Sequence, residues 1–373
     1  MGFEPPEYPF DKLAPLEAIC QKHEGGMVDL SVGTPVDAPP AFVLDALARS
    51  GAERGYPASI GSAELRDAAS GWFARRLGVE VPASQIRACI GTKELVAGVP
   101  HWLRLRTPER DTVLYPAVSY PTYEMGAILA GCRAVPVRVD DQWRLDLSSI
   151  APEDAARALC LWSNTPGNPA GGLDDLAALA AWGRTHGVPV LSDECYVEFT
   201  WSGPRHTILE SGLDGVLAVH SVSKRSNLAG VRVGFYAGDA DLVRYLSELR
   251  KHAGFMVPGP AQHAAAVALG DDAHVDEQAA RYRRRLEAFR EVLRQAFGID
   301  TPMPGGGLYL WVAAPDGDAW GFAERLAVEA GCLVSPGDFY GPVAAGHVRI
   351  AMVQPDDRLA LVARRLGIVP NHG

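Results

Sequence analysis

Short apolar segments alternate with helical patterns through the middle of this chain, and the alternation limits the possible folds more than any other feature. Segment 173–186 is rich in alanine and leucine and is followed by Gly187, which predicts a helix that links two strands. Strands joined by helices form a mainly parallel sheet covered on both faces. The sequence therefore predicts an α/β fold with strands at 112–115, 158–162, 188–192, 216–220 and 233–237.

The C-terminal part of the chain has a different pattern. After a long helix predicted over 276–297 come a strand at 308–312, a helix at 319–330 and strands around Leu333 and Val348. This shorter α+β set is expected to form a small domain together with the N-terminal residues. We therefore predict a large domain over 41–270 and a small domain made of residues 1–40 and 271–373.

The net charge of the chain is -10, which disfavours nucleic acids and anionic membranes as partners. The long predicted helix nevertheless contains a basic run. Because the chain is acidic overall, these side chains are expected to face solvent, and they are Arg281, Arg283, Arg284 and Arg285.

Several signals of other protein classes are missing from the sequence. The N-terminus has no basic and then apolar run, and no apolar stretch is long enough to cross a bilayer. The six cysteines are scattered, which is typical of reduced thiols in a cytoplasm. The histidines show no zinc spacing, and the glycine motifs of dinucleotide, nucleotide and esterase sites are absent. We predict a cytoplasmic protein with no metal site.

Lys224 closes the apolar segment 216–224 and is one of only five lysines. An amine that links covalently to an aldehyde must lose its proton near neutral pH, and burial or a cationic neighbour promotes that loss. Ser221 and Ser223 precede Lys224, and Arg232 follows it. Hydroxyls and an arginine beside an amine suit a cofactor that carries both an aldehyde and a phosphate. On this segment alone, a surface lysine at the end of a strand remains an equal alternative.

A second polar group follows the strand at 188–192. Asp193 and Tyr196 lie where the carboxyl end of a parallel strand meets solvent, which is where open α/β sheets bind ligands. An acid at that position can pair with a pyridinium nitrogen, and a phenol can bond the ring oxygen. The alternative for Asp193 is a turn or a helix cap. Glu194 is expected to be a solvated neighbour.

Two loops complete the pattern. Asn168 lies in a loop rich in asparagine, proline and glycine that follows the strand at 158–162, although such a composition is also typical of a plain surface turn. Gly91, Thr92 and Lys93 lie where a strand meets a helix. Free amides at a helix start, together with the helix dipole, bind phosphate. Many helices begin this way, so the second loop is weak evidence alone.

In their order along the chain, these positions resemble the cofactor site of fold type I aminotransferases of class I/II, which use pyridoxal 5'-phosphate. The resemblance spans most of the chain. It implies that Lys224 holds the cofactor and shuttles a proton, that Asp193 pairs with the ring nitrogen, and that Tyr196 and Asn168 bond the ring oxygen. The remaining cofactor contacts that it implies are Gly91, Thr92, Lys93, Tyr120, which stacks on the ring, Ser221, Ser223 and Arg232.

The same resemblance implies substrate and subunit contacts. Arg349, in a short apolar strand, matches the arginine that grips the substrate carboxylate, and a guanidinium does this with two hydrogen bonds. Gly33 matches a segment that closes over substrate, and Asn168 also faces substrate in this family. Tyr56 matches a loop that enters the partner subunit's site toward the phosphate. A homodimer with shared active sites is therefore implied.

Further segments resemble actinobacterial succinyldiaminopimelate aminotransferases, namely 31–36, 91–94, 192–196, 251–254 and 336–342. That family transfers the amino group of glutamate to N-succinyl-2-amino-6-oxopimelate in lysine and diaminopimelate synthesis. Ala170 stands where the usual loop has threonine, so the resemblance is less specific for substrate than for cofactor. The alternatives are another aminotransferase, a lyase or a cyclase of a specialised pathway. A cofactor-binding regulator would need a DNA-binding module, for which no residues remain.

Overall fold

The computed structural model describes residues 2–368, which form two compact units. Within the described range, the larger unit consists of residues 38–280 and 305–307, and the smaller unit consists of residues 2–37, 281–304 and 308–368. The second boundary lies inside a continuous helix, at 280/281, whereas the sequence pattern placed it at 270/271. A helix that continues without a break gives no local signal of a change of unit.

The strands are β1 (Val28–Asp29), β2 (Ile86–Cys89), β3 (Thr112–Pro116), β4 (Arg133–Val137), β5 (Ala158–Asn164), β6 (Val190–Asp193), β7 (Val216–Ser221), β8 (Gly234–Gly238), β9 (Tyr309–Ala313), β10 (Cys332–Leu333), β11 (Ser335–Pro336) and β12 (His347–Ala351). The larger unit contains a seven-stranded sheet in the order β2-β8-β7-β6-β5-β3-β4. Its strands are parallel except β8, which is antiparallel to both of its neighbours. The predicted mainly parallel α/β fold is confirmed.

The helices are α1 (Ala14–Cys20), α2 (Ala41–Ala48), α3 (Ala63–Trp72), α4 (Thr92–Arg106), α5 (Thr122–Leu129), α6 (Pro152–Arg157), α7 (Leu176–His186), α8 (Val222–Arg225), α9 (Ala240–His252), α10 (Gly259–Leu269), α11 (Ala273–Phe297), α12 (Ala319–Ala330) and α13 (Asp356–Arg365). The crossover helix α7 ends at Gly187, whose φ of 61° is the left-handed conformation that glycine adopts without strain. No helix among residues 2–368 has the length and apolarity needed to span a membrane.

Two apolar clusters cover the two faces of the large sheet. Alternate residues of β7 divide between them: Val216 and Ala218 join one cluster, and Leu217 and Val219 join the other. This division follows from the two-residue period of a strand. Because both faces are buried, the central strands are apolar throughout, and polar side chains gather where the strands end.

The smaller unit is built on an antiparallel sheet in the order β11-β12-β9 and on the parallel pair β1-β10. Arg285 of α11 lies in this unit and is only 5% exposed, so the expectation that the whole basic run faces solvent is wrong for this residue. Its guanidinium pairs with Asp37 at 2.6 Å and with Asp356 at 2.5 Å. These acids come from distant parts of the sequence, and they make the burial of Arg285 tolerable.

Candidate cofactor site

The carboxyl ends of β5 and β6 bring two polar residues side by side. Asn164 is the register partner of Asp193, and its Nδ2 donates to the Asp193 carbonyl at 2.9 Å. The Oδ1 atom of Asn164 accepts a hydrogen bond from the Asn168 amide at 2.8 Å. Asn164 therefore fixes the start of the loop that contains Asn168. Asn164 was not predicted to have a role, although its place at the end of a buried strand was a signal.

The Asp193 carboxylate is buried and held by neutral donors. The Tyr123 hydroxyl donates to Oδ2 at 2.9 Å, and the Cys195 amide donates to Oδ1 at 3.2 Å. Burial raises the pKa of Asp193 above its ordinary value. A cation placed beside this carboxylate would reverse that effect. Tyr123 was also missed, although it lies three residues after Tyr120, about one helical turn away.

A cradle for an anion forms where β2 leads into α4. Gly91 has a φ of 70° and immediately precedes the first residue of the helix, Thr92. Arg232 adopts a left-handed conformation, with a φ of 59°, and its guanidinium lies against Gly91 so closely that a Cβ at position 91 would overlap it. Free helix amides and a guanidinium side by side are the elements of a phosphate site.

Ser221 and Ser223 connect this region to Lys224. The Ser221 Oγ accepts from the Ser223 amide at 3.0 Å and donates to the Ser223 hydroxyl at 2.8 Å. Ser221 thus caps α8, and Lys224 lies within that short helix as a half-buried residue. The end of β7 therefore presents two hydroxyls and an amine within four consecutive residues.

Lys93 and Tyr120 also lie together, with the Lys93 ammonium 5.6 Å from the centre of the Tyr120 ring. Cys195 joins α4 to the Asp193 segment, because its thiol lies 3.5 Å from the Thr92 hydroxyl. Burial raises the pKa of the Cys195 thiol well above its usual value, which argues against a nucleophilic role. Tyr196 is buried at the start of the turn that follows β6.

Glu194 is not a solvated neighbour, and that expectation is corrected. It is 0% exposed, its Oε1 accepts from the Ile208 amide at 2.8 Å, and its Oε2 lies 3.3 Å from His220 Nε2. Neighbouring side chains of a strand point to opposite faces of the sheet. Glu194 therefore turns away from the side occupied by Asp193 and into the packed interior.

Arg349 and Gly33 belong to the smaller unit. Arg349 is 2% exposed, and its guanidinium lies 4.3 Å from the ring centre of Tyr309 and 4.8 Å from that of Tyr340. Its Nη2 donates to the Ser31 carbonyl. A Cβ at Gly33 would overlap the Tyr309 hydroxyl, so only glycine allows this close approach. Arg349 is thus held rigidly among aromatic rings.

Tyr56 lies in the larger unit and is 96% exposed in the single chain. It follows Gly55, whose φ is 79°, in a segment between α2 and α3. Its ring therefore makes almost no contact with the rest of this chain and is open to contact with another molecule.

The larger unit thus combines an anion cradle, a buried acid with neutral donors, and an amine after a hydroxyl pair. Pyridoxal phosphate has a phosphate, a ring nitrogen that becomes cationic, and an aldehyde. The phosphate would match the anion cradle, because glycine at position 91 lets the Arg232 guanidinium approach the helix start. The cationic ring nitrogen would match the Asp193 carboxylate, whose charge burial leaves poorly compensated. The aldehyde would match the Lys224 amine. The residues of this structure therefore fit that cofactor.

Curated relatives match nearly the whole chain. The 4-dedimethylamino-4-oxo-anhydrotetracycline transaminase of Streptomyces rimosus is 41% identical over 97% of this chain and 99% of its own length. A probable aminotransferase of Mycobacterium tuberculosis is 42% identical over 97% of this chain and 85% of its length. An LL-diaminopimelate aminotransferase of Desulforudis audaxviator is 32% identical over 97% and 95% of the two chains.

A solved structure and a family model agree with these relatives. The probable N-succinyldiaminopimelate aminotransferase of Thermus thermophilus superposes with a TM-score of 0.86 at 28% identity, over 96% of this chain and 98% of that one. The family model described as aminotransferase class I and II matches residues 25–366. The chain therefore belongs to the class I and II aminotransferases, which are enzymes that depend on pyridoxal phosphate.

Proposed function

We propose that this enzyme transfers the amino group of glutamate to N-succinyl-2-amino-6-oxopimelate and yields N-succinyl-LL-2,6-diaminopimelate. The observation that most favours this substrate is that diaminopimelate recurs in the names of relatives that match almost the entire chain. The segments that resemble succinyldiaminopimelate aminotransferases give independent support.

In the proposed site, the phosphate binds at the start of α4, with Gly91, Thr92, Ser221, Ser223 and Arg232 around it. The Gly91 conformation and the Arg232 guanidinium support this assignment, because together they place amides and positive charge at one point. Lys93 adds charge beside the same helix start.

The ring of the cofactor is proposed to lie between the Asp193 carboxylate and the Tyr120 side chain. Asp193 pairs with the ring nitrogen, and Tyr123 and the Cys195 amide hold its carboxylate in place. Tyr120 would stack on the ring, and Tyr196 and Asn168 would bond the ring oxygen. Bound pyridoxal phosphate supplies an electron sink for charge that develops at the substrate α-carbon.

Lys224 is proposed to hold the cofactor and then to act as the base. Once the incoming substrate amine had displaced it, the Lys224 amine would take the proton from the substrate α-carbon and later give that proton back. Its place directly after Ser221 and Ser223 supports this role, because the same strand end that binds phosphate then presents the amine.

Arg349 is proposed to bind the α-carboxylate of both substrates, and Gly33 and Asn168 are proposed as further substrate contacts. A guanidinium held among Tyr309 and Tyr340 has little freedom to lose on binding, which favours a bidentate contact. Removal of that fork by Arg349→Gln is expected to weaken the binding of glutamate and of the acceptor alike.

We also propose that two copies of the chain form a dimer, with Tyr56 of each copy reaching the phosphate region of the other. The 96% exposure of Tyr56 in the single chain supports the proposal, and the family is generally dimeric. A cytoplasmic location fits this activity. Light scattering of the purified protein tests the dimer, and Tyr56→Phe tests the contact through its effect on cofactor affinity.

The substrate proposal is tested by an assay of the cofactor-loaded enzyme with glutamate and a panel of keto acids that includes N-succinyl-2-amino-6-oxopimelate. We expect the highest kcat/KM for that compound. Lys224→Ala is expected to abolish turnover, whereas Lys251→Ala, an exposed lysine paired with Glu248 at 3.2 Å, is the matched control and is expected to retain it. High turnover of another acceptor alone would reject this substrate and leave the aminotransferase chemistry intact.

A second acceptor class follows from the Streptomyces rimosus relative, whose name describes a polycyclic ketone as its substrate. A specialised-pathway ketone without an α-carboxylate would not use Arg349. Arg349→Gln therefore separates the two candidate substrates. If the acceptor is N-succinyl-2-amino-6-oxopimelate, the variant should be impaired in both half-reactions. If the acceptor is a polycyclic ketone, the variant should be impaired only in the half-reaction with glutamate.

A further inference from the structure

Arg225 directly follows Lys224, and its side chain is buried in the larger unit with 3% exposure. Its Nε lies 3.3 Å from Glu198 Oε1. Its Nη1 donates to the Ala268 carbonyl at 2.6 Å, and its Nη2 donates to the Asp271 carbonyl at 3.2 Å. One guanidinium thus anchors the helix that contains Lys224 to two other segments of the unit, the turn that contains Glu198 and the C-terminal end of α10.

Glu198 is buried to the same extent, and its carboxylate is surrounded by nitrogen donors. Trp72 Nε1 donates to Oε1 at 2.7 Å, and Arg76 donates to Oε2 through Nη2 at 2.9 Å. Arg205 Nε lies 3.4 Å from the same Oε2. Burial acts to raise the pKa of Glu198, but the Arg225 and Arg76 charges outweigh it, and the pKa lies below its usual value.

The position of this pair in the chain gives it a second consequence. Glu198 lies two residues after Tyr196, and Arg225 lies one residue after Lys224. The contact therefore joins the turn that contains the phenol to the short helix that contains the amine. A buried pair of this kind has a defined geometry, so it restricts how far these two segments can move apart.

We propose that the Glu198–Arg225 pair is a positioning device that fixes the Lys224 amine relative to Tyr196. Neither residue is proposed to touch substrate or cofactor. The proposal rests on the role of Lys224 given above. Loss of the pair should loosen α8 and change the environment of the amine, and with it the readiness of that amine to lose its proton.

The test measures Lys224 itself in the cofactor-free protein. Wild type, Glu198→Gln and Arg225→Lys are labelled with a trace of acetic anhydride across a pH series, and the Lys224 peptide is quantified by mass spectrometry relative to Lys251. In both variants we expect the relative labelling of Lys224 to change by at least about threefold, or about half a pKa unit. In the loaded protein, the pH midpoint of the visible absorbance should shift as well.

Arg76→Lys is the matched control. Arg76 contacts the same carboxylate, but from the segment after α3, and it also pairs with Asp276 at 2.6 Å. The Arg76→Lys variant should lower the midpoint of urea unfolding without changing the labelling of Lys224. If Arg76→Lys alters Lys224 as much as Arg225→Lys does, or if neither pair variant alters it, the pair serves only stability and the proposal is overturned.

Two further outcomes are distinguishable. If Glu198→Gln does not fold, Arg225→Lys decides the question, since it retains the positive charge and removes only the forked contact. If Lys224→Ala still binds the cofactor covalently, the proposed function fails. The labelling of Lys224 in the cofactor-free protein would still report whether the pair positions that side chain.

Discussion

Asp193 and Glu198 are two buried carboxylates five positions apart in the larger unit, and their surroundings are opposite. Glu198 is surrounded by arginines, and its pKa is lowered. Asp193 accepts from Tyr123 and the Cys195 amide, and burial leaves its pKa raised. The negative charge of Glu198 is therefore balanced by arginines of the same unit. The negative charge of Asp193, in contrast, is expected to be balanced by a cationic group of a bound ligand.

The largest expected effect is on stability. Glu198→Ala removes the nearest carboxylate of the buried Arg225 and one of the two carboxylates paired with Arg76. Removal of one partner of a buried ion pair costs about 3–5 kcal/mol of unfolding free energy. Asp193→Asn should cost little stability in the cofactor-free protein, because burial raises the pKa of this carboxyl and an amide avoids the cost of ionising it. Urea unfolding of both cofactor-free variants measures these changes in stability. Equal losses of unfolding free energy in the two variants would contradict the difference between Glu198 and Asp193.

Asp193→Asn should instead impair catalysis. An amide cannot keep the ring nitrogen cationic, and loss of one hydrogen bond to a charged group is worth about 1.5–3 kcal/mol, or roughly ten- to a hundredfold in kcat. Asp174→Asn is the control, because Asp174 is an acid of the same unit with no proposed contact to the cofactor. A kcat of Asp193→Asn within twofold of wild type would contradict the pairing with the ring nitrogen.

Tyr123→Phe should have a smaller effect of the same kind. It removes the hydroxyl that donates to Asp193 Oδ2 at 2.9 Å and leaves the Cys195 amide contact. We expect a loss in kcat of about fivefold to tenfold, equivalent to about 1 kcal/mol. Tyr115→Phe, at another buried tyrosine, should leave kcat unchanged. Tyr123 would lose its positioning role if both variants behaved alike.

The smallest effect concerns pH and Asp174, which accepts from Ser163 at 2.6 Å and from the Leu145 amide at 2.8 Å. Burial raises the pKa of Asp174 from 3.8 to about 6. Ionisation therefore costs stability: the cost is absent below pH 3.8 and develops as the pH rises through 6.

Asp174→Asn should remove this dependence. Relative to wild type, the variant should gain about 1 kcal/mol of unfolding free energy between pH 4 and pH 7, since the half-buried position reduces the effect. Urea unfolding at both pH values measures the gain. A variant whose loss of stability from pH 4 to pH 7 matches that of wild type would show that burial does not raise the pKa of Asp174.

The pattern of sequence periods predicted the positions of five of the seven strands of the large sheet, because a buried strand is apolar along its whole length. It did not predict β4, most of whose residues are only partly buried or exposed. It did not predict that β8 runs antiparallel, since the direction of a strand depends on its neighbours. Glu194 was expected in solvent and lies in the interior instead. Its burial depends on His220 and Ile208, and neither is near it in the sequence.

In the candidate site, too, some residues could be predicted from the sequence and others could not. The positions of Lys224, Asp193 and Asn168 at strand ends could be read from the sequence, because parallel strands place their carboxyl ends at one edge of the sheet. Tyr123 and Asn164 could not be assigned, since their roles are contacts to another side chain and to another strand. Their neighbours along the chain do not reveal such contacts.

The sequence alone was enough to predict the fold class, the family and most of the strands in their order, and to nominate residues for the chemistry. The balance of the buried charges emerged only from the folded chain, in which Arg225 meets Glu198 while Asp193 meets a phenol and an amide. The physical reason is that apolar periods and motifs are local. The pKa of a buried group, in contrast, depends on charges and donors that folding brings together from distant segments.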